Sequence, residues 1–76
     1  MAIGVAAQTL AIALRDEDSS IREEAVEALG GIGGQAAIRL LEQALADEDE
    51  SVRETAEQIL TQLKDQIRRR ANHGLP

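Results

Sequence analysis

The sequence predicts an all-α fold, a short α-solenoid of about four antiparallel helices. Three observations carry this. The stretch Asp16 to Gly34 can be laid on a second copy 31 residues later: Leu14, Asp16, Glu17, Asp18, Ser20, Arg22, Glu23, Ala25 and Leu29 recur as Leu45, Asp47, Glu48, Asp49, Ser51, Arg53, Glu54, Ala56 and Leu60, and Ile21 recurs as Val52. A fixed period of about 20–50 residues with one supersecondary unit per period marks a solenoid repeat. Apolar residues between the turns recur at helical spacing. Finally, the chain has 76 residues with no aromatic residue and no cysteine. Any core is therefore thin and aliphatic, and disulfides are excluded. One histidine without cysteine also argues against a structural zinc. Regular helix packing, self-association or a longer parent array must supply the stability.

The first helix is expected over residues 2–15. Ile3, Ala7, Leu10 and Leu14 fall on one stripe, while Val5 and Ile12 point almost the opposite way, and only Gln8 and Thr9 are polar before Leu14. A helix that is apolar all round expects cover on both sides. Val5 and Ile12, with Ile3 near the same helix start, are thus candidate protein-interface residues. A membrane-surface role is disfavoured, because no Lys or Arg precedes Arg15 and no aromatic anchor exists.

An acidic turn at residues 16–20 leads into a second helix from about Ser19 to Gly31. Its apolar side carries Ile21, Ala25, Ala28, Leu29 and Ile32. Either Asp18 or Ser20 can cap it, the latter with Glu23 completing a Ser-x-x-Glu box. Gly30, Gly31, Gly33 and Gly34 bracket Ile32. No strand precedes them, so they read as a helix C-cap and reversal rather than a nucleotide loop, with Ile32 plugging the core.

The third helix is expected over Gln35 to Ala46, with Ala37, Ile38, Leu40, Leu41, Ala44 and Leu45 on one wide face. After a second acidic turn, the fourth starts near Glu50 or Ser51 and runs to about Arg70. Its stripe is Val52, Ala56, Ile59, Leu60, Leu63 and Ile67, and Thr61 and Gln62 replace the glycines that stop the second helix. A single apolar stripe with a polar back suits a terminal, capping helix. Residues 1–70 form one domain on this reading, and 71–76 a disordered tail.

The pattern Asp16-x-Asp18-x-x-Ile21-Arg22-x-x-Ala25-x-x-Ala28-Leu29-Gly30-x-Ile32-Gly33, then Ala37-Ile38-x-x-Leu41-x-x-Ala44-Leu45, resembles a HEAT-like repeat of the phycobilisome-lyase type. Glu17 and Ser19 depart from it where proline is common, as do Gly34 and Gln35 where Asp-Pro often sits. The resemblance implies units of two antiparallel helices. On that frame the chain holds one complete unit (about residues 18–46) flanked by half units, with the first helix as a docking edge. It also implies that Arg22 and Arg53, with loop acids, belong to an inter-repeat polar ladder. Asp18–Arg22 and Asp49–Arg53 have i,i+4 spacing for local pairing, worth about 0.3–0.5 kcal/mol if exposed.

No catalytic set is expected. His73 is the only histidine and is followed by Gly74, so the His-Glu pairs of HEAT-like iron hydroxylases are absent, and no Ser/His/Asp or Cys/His constellation can be assembled. Asp16, Asp18, Ser20 and Glu27 fall on an EF-hand frame, but Ile21 stands where that loop requires glycine. No cofactor or metal is expected. Residues 1–63 hold 4 basic and 13 acidic residues, and residues 64–76 hold 4 basic and 1 acidic. So acidic a body argues against nucleic acid, despite Arg68-Arg69-Arg70. No signal peptide or membrane span is evident. The expectation is a cytoplasmic, non-catalytic protein-interaction scaffold, a homodimer or a piece docking to further repeats through the first helix. The alternative that the resemblance implies is a subunit or fragment of a bilin lyase or phycobilisome-associated protein.

Overall fold

A computed structural model describes the backbone of residues 5–73 and side chains of residues 6–71. Four helices follow one another: α1 (Val5–Ala13), α2 (Ser19–Ile32), α3 (Gly34–Ala44) and α4 (Glu50–His73). Helices α1 and α3 form one layer, and α2 and α4 the other; each layer packs on the other and along itself. The Cα extents are 49 × 29 × 15 Å. The shortest matches two helices at about 8–10 Å between axes plus a Cα radius of about 2.3 Å on either side. The chain is therefore a two-layer slab that lengthens by stacking.

Local chemistry sets the element ends. Asp18 caps α2, its Oδ1 accepting the Ser20 N–H at 2.8 Å. Asp49 does the same for α4 through Ser51 N–H at 2.8 Å and Val52 N–H at 3.2 Å. The reversal between α2 and α3 turns on Gly33, the one residue between them, and on Gly34, the first residue of α3, at φ 69° and 85°. Gly33 closes α2 by donating its N–H to the Leu29 carbonyl at 2.9 Å. Gly30 and Gly31 are helical, so they are not part of the reversal expected of all four glycines. Helix α4 continues to His73, three residues past its expected end, so Ala71 to His73 are helical rather than tail.

The core joins Val26 and Leu29 of α2, Ala37, Ile38, Leu41 and Ala44 of α3, and Val52, Ala56, Leu60 and Leu63 of α4, with Leu10 and Leu14 packed against it. Two expectations about α2 are corrected. Val26 is fully buried although it lay off the expected stripe, and Ile21 and Ile32 are 40% and 48% exposed. Ile32 does not plug the core. The cause is which side has a neighbour. Val52, Ile59 and Leu63 of α4 lean on α2 and are buried or half-buried, whereas Ile21, Ala28 and Ile32, one period earlier, are exposed. The reverse holds on the far side. Leu14 is half-buried, while its counterpart Leu45 is 41% exposed.

Candidate interaction surface and its polar ladder

The most ordered polar feature joins the two acidic turns. Arg22, in the first turn of α2, is buried. Its Nε and Nη2 donate to Asp47 Oδ2 and Oδ1 at 2.9 and 3.1 Å, a two-point pair. Its Nη1 donates to the carbonyls of Asp16 at 2.7 Å and Glu17 at 3.0 Å. One guanidinium thus closes its own turn and grips the next. A planar fork suits this better than an ammonium would. The hydrogen bond to Asp47 holds the Arg22 pKa above its ordinary value. Partial burial pushes the Asp47 carboxyl up, but hydrogen bonds from Arg22 and the Asp49 N–H outweigh it and hold it below the usual carboxylate range.

One period later the motif half-repeats. Arg53 Nη1 donates to the Asp47 carbonyl at 2.7 Å, as Arg22 does to Asp16. Among the described residues no carboxylate meets the remaining donors of Arg53, and no cation meets the Asp16 carboxylate, which accepts the Asp18 N–H at 2.8 Å. A second rung lies beside the first: Glu23 accepts from Ser51 Oγ at 3.0 Å and from Thr55 Oγ1 at 2.8 Å.

The residues singled out from sequence divide clearly. Asp18 and Asp49 serve as caps, and neither pairs with the arginine four residues on. Asp47, not Asp18, is the acid that Arg22 binds. Asp47 was not among the residues singled out; its recurrence as the copy of Asp16, one period on, is the signal that could have found it. Ile12 is 75% exposed. Ile3 and the side chain of Val5 lie outside the described residues. Between α1 and α3 runs a shallow apolar groove lined by Ala7, Ala11, Ala36 and Leu40, with Gln8, Arg39 and Gln43 at its edges. Among the described residues no three His, Cys, Asp or Glu side chains gather as a metal site, and no helix is long and apolar enough to cross a membrane.

Comparison with known proteins gives one finding: the family model described as HEAT repeats matches residues 5–72. No curated protein and no solved structure matches the chain.

Proposed function

The chain belongs to the HEAT-repeat family, and from that premise we propose that it is a non-catalytic scaffold that docks to protein through α1. The observation that carries this is Ile12. This isoleucine, one residue before the end of α1, is 75% exposed, and Ile21, whose copy Val52 is buried, is also exposed. Apolar surface of this kind favours burial against a partner. The non-catalytic part rests on the residue inventory, which has no cysteine and one histidine. The acidic body favours a protein with a basic rim over nucleic acid, in a cytoplasmic setting. The phycobilisome-lyase subtype rests on the resemblance alone. Incubation with a bilin that yielded a bound visible chromophore would put that reading in front.

The test is a photo-crosslinking residue placed at position 12 and, as a control, at Glu27, an exposed position on α2. Discrete protein adducts at position 12 and none at 27 support docking through α1. Equal adducts at both, or none at 12, overturn it.

A further inference from the structure

Among the described residues the two ends of the stack match one another, although the polar back of α4 suits a cap on sequence grounds. The internal joint, where α1 and α2 meet α3 and α4, is held by Arg22 on Asp47 and by Glu23 on Ser51 and Thr55. Advancing each residue by 31 gives the next joint. There Arg53 asks for an acid at the place of Asp16, and Glu54 for a hydroxyl at the place of Ser20. The chain carries both partners, on its other end. The order of elements agrees. The internal joint sets an α1–α2 pair against an α3–α4 pair, and a second copy offers an α1–α2 pair where α3 and α4 are open.

We propose that the chain stacks head to tail on a second copy of itself, with Arg53 of one protomer gripping Asp16 of the next as Arg22 grips Asp47. This rests on the reading of α1 as a docking edge and names its occupant. Asp16 is already turned into the loop by its hydrogen bond to the Asp18 N–H, and Arg53 is already anchored by the Asp47 carbonyl. Each keeps polar atoms free for the other. The apolar residues also match: Leu45, 41% exposed on one end, faces the end that exposes Ile12 at 75% and Ile21 at 40%. Thr61 stands where Gly30 does in the internal joint and would meet Ala28, which stands where Ile59 does. The large partner has moved to the other side, so the pair keeps similar volume.

Two substitutions make this joint weaker than the internal one. Glu57 occupies the place of buried Val26, and Glu24 occupies the place of Thr55, opposite Glu54. Association is therefore reversible and sensitive to salt. Because the contact is heterologous, it grows stepwise rather than stopping at two, unless the rotation closes a ring.

Sedimentation velocity on the full chain across a concentration series tests this, with circular dichroism to confirm folding. Arg53→Asp or Asp16→Arg alone should weaken association at least about tenfold. An equimolar mixture of the two variants should restore it, because each restores the opposite charge for the other. Asp16→Arg leaves the carbonyl that Arg22 uses, so it carries the test if Arg53→Asp fails to fold. Glu24→Thr with Glu57→Val copies the internal joint and should tighten association at least about tenfold. A wild type and a Glu24→Thr/Glu57→Val variant that both stay monomeric at millimolar concentration overturn the stacking. So does association that saturates at a dimer and ignores the charge exchange, which would mean an α1-on-α1 contact. Either result leaves docking to a different protein standing, since crosslinking at position 12 decides that separately.

Discussion

Gly30 and Ile59 interlock across the α2–α4 contact: a Cβ on Gly30 would lie 2.8 Å from Ile59 Cγ2. That methyl sits directly on a branched Cβ and cannot swing away without changing χ1. Replacing a helical glycine with alanine gains about 0.5–1 kcal/mol of helix propensity, and overpacking costs about 1–3 kcal/mol. Gly30→Ala should therefore lower stability by about 1 kcal/mol in urea denaturation.

Two neighbouring glycines separate the other effects. Gly31 is helical, and a Cβ there meets nothing within 4 Å, so Gly31→Ala should raise stability by about 0.5–1 kcal/mol. Gly33 combines φ 69° with ψ −171°, a region essentially restricted to glycine. Gly33→Ala should lower stability by about 1–3 kcal/mol. Thermal melts of the two variants should shift in opposite directions.

Leu29 and Leu41 are fully buried and face one another's helices in the core. Leu29→Ala should cost about 2–5 kcal/mol. In so thin a core that is enough to populate the unfolded state at room temperature, which loss of the far-ultraviolet helix signal would register.

Asp47 links the fold to pH. Its folded pKa is lowered, so its contribution is complete above the unfolded-chain value of about 3.9. It is lost as pH falls through the lower folded value. The stability gap between wild type and Asp47→Asn should be constant above about pH 5 and should narrow as the solution is acidified towards pH 2. Asp18→Ala, a cap loss of about 1 kcal/mol, should cost less than Asp47→Asn at neutral pH.

The order, number and approximate ends of the helices were legible because they depend on local signals: the period, the capping acids and helical spacing. The covered face of α2 was not. Ile21 and Val52 are near-equivalent in sequence and opposite in burial, because burial depends on whether a helix lies alongside. Val26 was missed for the same reason, since its cover comes from α4. The ladder was half legible. Arg22 and Arg53 stood out, but i,i+4 spacing on one helix pointed to Asp18 and Asp49. Capping claimed those carboxylates, and the pairing acid lay a full period away, 25 residues from Arg22. On the surface, Ile12 was legible as an apolar residue on a second face, whereas the α1–α3 groove, built from small alanines, gave no signal above composition.

Among the described residues α1 and α4 do not touch; each helix is held only by those beside it in the stack. Nothing therefore clasps the first helix to the last, and disruption at one end reaches the other only by way of the helices between. Hydrogen exchange should record this as a gradient, fast at the amides of α1 and slowest near Leu29 and Leu41. Pulled lengthwise, the molecule would come apart like a zip, one tooth at a time, and each tooth added would strengthen the one before it.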